Sequence, residues 1–159
     1  MSATHISQYV RAPSAEVYRA LLDPAAVARR RVPTGMRAEV HTFDAREGGS
    51  ARVSLTYEAP TGAGKATAQT DTYRSRFVRL VEDEQVVEAV EFETADPALR
   101  GEMTITISLR DAYGSTEVVA VHDDLPPGLV PAAHEACWRE ELGKLARLVE
   151  TGDPQESEE

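Results

Sequence analysis

Val130-Pro-Ala-Ala-His134-Glu-Ala-Cys137-Trp138-Arg-Glu-Glu-Leu142-Gly-Lys-Leu145-Ala-Arg-Leu148-Val149 places His134, Trp138, Leu142, Leu145, Leu148 and Val149 three or four residues apart. That spacing predicts one long amphipathic helix, with Arg139, Glu140, Lys144 and Arg147 on its other face. Such a helix needs an apolar surface to lie on, and the preceding chain supplies a sheet. Met103, Ile105, Ile107 and Leu109 alternate with Thr104, Thr106, Ser108 and Arg110, the pattern of a half-buried strand. Further strands are read from Thr4 to Arg11, from Met36 to Phe43, through Val53, Leu55 and Tyr57, through Thr70, Thr72, Tyr73, Phe77 and Leu80, from Val86 to Phe92, and from Thr116 to His122.

Two short helices separate the first strand from the rest. Pro13-Ser14-Ala15-Glu16 opens the first, with Ser14 available as a cap, and Val17, Ala20, Leu21 and Leu22 form its apolar side. Asp23-Pro24 starts the second, which runs to about Arg31 and stops at Val32-Pro33-Thr34-Gly35. Asp44-Ala45-Arg46-Glu47-Gly48-Gly49 makes a turn in which the paired glycines can take positive φ, and Ala59-Pro60-Thr61-Gly62-Ala63-Gly64 makes a loop. The order of strand, two short helices, six strands and a long C-terminal helix predicts an α+β fold: one curved antiparallel sheet with helices on a single side.

Composition bounds the function. The chain has 159 residues, 42% of them hydrophobic, enough for one core, and reads as one domain over 1–150 followed by an acidic, disordered tail at 151–159. Of its formal charge of −10, half belongs to that end, because Glu150 to Glu159 carries five acids and no base. No basic face is left for nucleic acid, whose affinity comes largely from phosphate neutralisation. No apolar run is long enough to insert into a membrane, and Met1-Ser2-Ala3-Thr4-His5 does not open a signal peptide, so a cytoplasmic location is expected. Cys137 is the only cysteine, which excludes an intrachain disulfide and a zinc cluster; no metal site or cofactor is expected. Nucleophile-elbow, HExxH, P-loop and dinucleotide-binding motifs are all missing, Gly62-Ala63-Gly64-Lys65 lacks the phosphate-loop spacing, and no catalytic residue is assigned.

Several segments then resemble a known family. Ala12-Pro13-Ser14-Ala15-Glu16-Val17-Tyr18-Arg19-Ala20-Leu21, Val32-Pro33-Thr34-Gly35-Met36, Phe43-Asp44-Ala45-Arg46-Glu47-Gly48-Gly49, Gly101-Glu102-Met103-Thr104-Ile105-Thr106, Ser115-Thr116-Glu117-Val118 and Trp138-Arg139-Glu140-Glu141-Leu142-Gly143-Lys144-Leu145-Ala146 occur in its order and spacing. They are similar to the START-like, or SRPBCC, superfamily, in its branch of homologues of the activator of heat-shock protein ATPase, over about Ile6 to Val149. The resemblance implies a helix-grip fold with a cavity between sheet and C-terminal helix. This chain departs from the family at Arg29-Arg30-Arg31-Val32, where an aromatic is common, and three guanidinium groups would give the cavity a polar rim.

The resulting expectation is a protein that binds a small apolar or amphipathic ligand, with Tyr57, Tyr73, Glu91, His122, His134 and Trp138 as ligand-binding candidates. Trp138 and His134 share the helix stripe, where the indole can stack on a ligand or fill the core. His122 ends the last strand and faces the same space if no bulge intervenes. Tyr57 and Tyr73 can present hydroxyls, and Glu91, like Asp71, is an acid inside a strand that would serve as a base only if turned away from solvent. Two alternatives stand beside binding. One is a polyketide cyclase-like enzyme using a pocket histidine or carboxylate; the other, implied by the resemblance alone, is a chaperone-interacting protein. A homodimer through an exposed strand or helix is also compatible, since two-fold dimers are the commonest assemblies.

Overall fold

Alternation builds the sheet. Seven strands, β1 (Ala3–Val10), β2 (Met36–Phe43), β3 (Ser50–Tyr57), β4 (Thr70–Val81), β5 (Gln85–Phe92), β6 (Glu102–Ala112) and β7 (Ser115–Asp123), appear in the computed structural model, which describes residues 3–30, 36–57, 70–93 and 97–151. They form one antiparallel sheet in the order β1-β7-β6-β5-β4-β3-β2, so the chain meanders from β2 to β7 and β1 closes the far edge against β7. Among the described residues three α-helices accompany them, α1 (Ser14–Leu21), α2 (Pro24–Arg30) and α3 (Pro131–Thr151), with a short 3-10 turn at Pro97–Leu99. The expected α+β order is therefore present. The readings at 32–35, 59–64 and 152–159 lie outside the described residues.

One face of the sheet is the core. Ile6 and Val10 of β1, Val118 and Ala120 of β7, Met103, Ile105 and Ile107 of β6, Val86 and Val90 of β5, Tyr73 and Phe77 of β4, and Val53 of β3 are all buried on it. Helix α3 lies along β1 and also meets α1 and α2. Its Trp138, Leu142, Leu145, Ala146 and Val149 are buried, while Arg139, Glu140 and Arg147 are exposed, so the apolar stripe faces inward as its spacing requires. Its far end is tied to the end of β1, where the Arg11 backbone N–H donates to Glu150 Oε2 at 2.8 Å. Bulges between Val40 and Thr42 and between Phe77 and Arg79 bend β2 and β4.

Two local expectations change. Ser14 does not cap α1: Pro13 holds the cap position without a side-chain bond, and Ser14 Oγ instead donates to Asp111 Oδ1 at 3.1 Å. The side chain turns toward the β6–β7 hairpin and tethers the helix to it. Asp23 does act at the start of α2, accepting from the Ala25 N–H at 3.0 Å.

In the β2–β3 turn the two glycines serve different needs. Gly48 has φ +84, a conformation that strains residues with a Cβ, whereas Gly49 is required for space. A Cβ there would sit 2.1 Å from the Asp44 carbonyl oxygen and 2.9 Å from Asp44 Cγ. The Gly49 carbonyl accepts from the Phe77 N–H at 2.9 Å, so the turn is stitched to β4 and cannot swing clear. Gly49→Ala should destabilise the protein by roughly 1–3 kcal/mol, the usual range for overpacking. A urea midpoint unchanged from wild type would show that the turn relaxes freely.

Candidate functional site

The residues of interest lie in one transverse row across the concave face. Thr4 pairs with His122, His122 with Ile105, Ile105 with Glu88, and Glu88 with Phe77. With about 4.8 Å between neighbouring strands, His122 and Glu88 stand roughly 10 Å apart with Ile105 between them. This row sets two ionisable groups into a largely apolar surface.

His122 occupies one end. Strand β7 runs without a register shift through Thr116, Val118, Ala120 and His122, so the imidazole points to the core side and is 0% exposed. Thr4 Oγ1 lies 2.9 Å from His122 Nδ1. From α3, Trp138 packs its indole 4.5 Å from the imidazole at 60°, and His134, one turn earlier and half-buried, meets it edge-on at 4.7 Å and 76°. The imidazole is held between a hydroxyl and two aromatic side chains. Trp138 is only 3% exposed, so it is part of the core as well as part of this cluster.

Glu88 occupies the other end. It projects from β5 on the same side as Val86 and Val90 and is 5% exposed. Beside it lies a small hollow of about 10 Å³, lined also by Val27 of α2, Phe43 of β2, Ala51 and Val53 of β3, and Tyr73, Ser75 and Phe77 of β4. That volume is about the size needed for one water. This hollow therefore adjoins α2 and the β2–β5 half of the sheet, while Trp138 is buried in the α3 half.

The structure thus brings His122, His134 and Trp138 together and sets Tyr73 in the wall of the Glu88 hollow. Glu91 lies apart from this group. It faces the opposite side of β5, directly across from Arg74, whose Nη2 donates to its Oε1 at 3.3 Å. There it belongs to a ladder of ion pairs continued by Arg52 and Glu93 at 2.8 Å and by Arg76 and Glu102 at 3.8 Å. In that ladder the Arg52 guanidinium, by hydrogen bonding first, holds the Glu93 carboxyl below the usual carboxylate range. Tyr57 and Asp71 have strand backbone, but their side chains lie outside the described residues. Glu88 was not among the candidates, although Val86, Glu88, Val90 and Phe92 fall two apart and place it with the core side chains.

Other chemistries find little support here. Among the described residues, no group of three or more His, Cys, Asp or Glu is placed to hold a metal ion. Burial, then Glu141 and Glu140, push the Cys137 thiol up, which disfavours the thiolate that a cysteine nucleophile requires. No described helix is long and apolar enough to cross a membrane.

A seven-stranded antiparallel sheet gripped by a C-terminal helix, with a polar row across its concave face, is an α+β helix-grip protein of the START-like class. Within that class, the chain belongs to the family described as activator of Hsp90 ATPase homolog 1-like protein, whose model matches residues 11–150. No curated protein matches it. Among solved structures, protein CV1439 from Chromobacterium violaceum is similar at 29% identity and TM-score 0.83, covering 93% of this chain and 96% of that one. Mll3558 from Rhizobium loti shares the fold at 24% identity and TM-score 0.71, over 92% of this chain and 95% of the other. DynU16, a protein in the dynemicin biosynthetic locus, shares it at 23% identity and TM-score 0.67, with 97% of this chain aligned to 49% of DynU16.

Proposed function

We propose that the protein binds a small apolar or amphipathic molecule on the concave side of its sheet. The observation that carries this reading is the burial of Glu88 and His122 in one row of a largely apolar face. Buried ionisable groups cost several kcal/mol of desolvation unless their surroundings repay it, and a group of this kind in a cleft is a candidate for a binding or reactive role. Apolar walls of Val27, Phe43, Val53 and Phe77 beside a few polar groups are the usual make-up of a small-molecule site. Such a ligand enlarges the water-sized hollow by displacing its walls, and α2, only seven residues long, is the smallest element among them. The cytoplasm is the proposed compartment, consistent with a lone cysteine.

Trp138 is the chain's only tryptophan and touches His122, so its emission reports on this face without a label. Titration with a panel of fatty acids, phenols and polycyclic aromatics should shift that emission saturably for at least one class, with a matching adduct in native mass spectrometry. A panel that leaves both readouts flat removes the binding reading.

A second reading, an enzyme of polyketide-cyclase type, draws on the likeness to DynU16 and on His122 and Glu88 as candidate acid and base in one row. Conversion of a poly-β-ketone substrate, lost in His122→Asn or Glu88→Gln, would favour it over simple binding. The family's descriptive name suggests a third reading, a chaperone-interacting protein, and an unchanged ATPase rate on mixing the chain with purified Hsp90 removes it.

A further inference from the structure

A second cluster lies on the outer side of the sheet, away from the concave face. In β2 the register shift between Val40 and Thr42 leaves His41 as the extra residue of a bulge, a device that re-aims a side chain. The imidazole turns over β3: its Nε2 lies 2.7 Å from Ser54 Oγ, and its Nδ1 lies 3.7 Å from Glu39 Oε2. Ser54 Oγ is also 2.7 Å from Thr72 Oγ1 of β4. The exposed Glu39 carboxylate favours the tautomer with its proton on Nδ1, which leaves Nε2 to accept from the serine. Glu93 adds a second negative charge within electrostatic reach of His41. Hydroxyl, imidazole and carboxylate in this order are the parts that make a serine nucleophilic, and they are recognised by geometry rather than by motif.

The geometry points to Ser54 as a nucleophile that takes a small acyl group from an activated ester. This site is separate from the concave face and does not rest on the binding reading. Ser54 Oγ bonds the acyl carbon while its proton passes to His41 Nε2, and that proton goes on to the oxygen of the departing alcohol as the ester C–O bond breaks. Water then attacks the acyl-serine by the reverse route and returns the free serine and a carboxylic acid. Negative charge that develops on the acyl oxygen meets Arg52, two residues before Ser54 on the same side of β3. The Arg52 Nε and Nη2 donate to Glu93 at 2.8 and 3.0 Å, which holds the guanidinium in place with Nη1 left over as a donor among the described residues. Ser54 is 7% exposed beneath the imidazole, and β2 is the edge of the sheet, so the ester approaches from that edge and a compact acetyl ester is the suitable probe.

The full chain is incubated with 4-nitrophenyl acetate, quenched in acid and mapped by peptide mass spectrometry. Acetyl should accumulate on Ser54 ahead of Ser7 and Ser50, although those two are exposed and Ser54 is buried. In His41→Asn the rate at Ser54 should fall about a hundredfold or more, the usual loss with a general base. In the wild type the rate at Ser54 should fall relative to Ser7 and Ser50 as acid protonates the imidazole, and this dependence carries the test should the variant not fold. Glu39→Gln alters a positioning residue at the surface; it should slow labelling about fivefold or less and move the midpoint of the pH dependence downward, because the lost carboxylate had favoured the imidazolium. Acetylation of Ser54 no faster than that of Ser7 and Ser50 would overturn the proposal. So would labelling of Ser54 that neither His41→Asn nor acid reduces.

Discussion

Replacing Trp138 with alanine should lower the unfolding free energy by about 3–5 kcal/mol, the range for removing a buried large aromatic. The indole is 3% exposed, it packs on His122 with ring centroids 4.5 Å apart, and it sits between His134 and Leu142 on the stripe by which α3 holds the sheet. Truncation therefore removes transfer free energy and leaves a void over the imidazole, since β7 beneath is fixed on both sides by β1 and β6 and cannot rise to fill it. Urea denaturation gives the loss directly. If the void persists, millimolar indole should raise the melting temperature of the variant and leave the wild type unmoved, because a ligand that binds only the folded state stabilises it by mass action. A loss below about 1.5 kcal/mol without indole rescue would mean that α3 slides inward and that the helix contact is adaptable.

How much of this was legible in advance differs between fold and site. The grip of α3 follows from its own spacing, because a stripe of Trp138, Leu142, Leu145 and Val149 on one side of a helix leaves no stable alternative to burial. Strand β6 was equally readable: Met103, Ile105, Ile107 and Leu109 are all buried, and the intervening threonines are not. His122 required a condition, the absence of a bulge in β7, that no local pattern states, yet the ladder satisfies it. The acids show the limit of local reading. Glu91 and Glu88 lie on the same strand three residues apart, and parity decides everything: Glu88 shares its side with Val86 and Val90, while Glu91 shares the opposite one and meets Arg74 across the strands. The partner Arg74 could not be seen from β5 alone, since cross-strand register depends on the length of the turn and on the bulge at Phe77 to Arg79. Gly49 is a similar case. Its need for space arises from Asp44 folding back over the turn, and a glycine pair in a sequence signals positive φ long before it signals crowding.

That division bears on function. Residues whose role is to fill space follow the period of their element, so they are readable one element at a time. Those that build a site are defined by what four or five strands place side by side, as in the row Thr4, His122, Ile105, Glu88 and Phe77. The concave face has two unlike halves. The α3 half is closed by Trp138 over His122, whereas the α2 half keeps a hollow beside a carboxyl.

Phe77→Ala tests the second half in the way that Trp138→Ala tests the first. Phe77 is 1% exposed, meets Phe43 edge to face at 5.6 Å, and pairs across the strands with Glu88, so its ring is one wall of the hollow. Its removal should cost about 3–5 kcal/mol in the same denaturation experiment. The two voids should then behave differently. The space left by Phe77 joins one that already holds a carboxyl and the Tyr73 and Ser75 hydroxyls, enough polar partners for water to enter, so the loss should fall toward the lower end of that range. Rescue should follow polarity as well: benzyl alcohol, whose ring replaces the lost one and whose hydroxyl reaches Glu88, should raise the melting temperature more than toluene at equal concentration. For Trp138→Ala the donor should confer no such advantage near an imidazole already engaged by Thr4. Equal rescue of Phe77→Ala by toluene and benzyl alcohol would show that the carboxyl does not face the vacated space, and the two halves of the concave face would then be chemically alike.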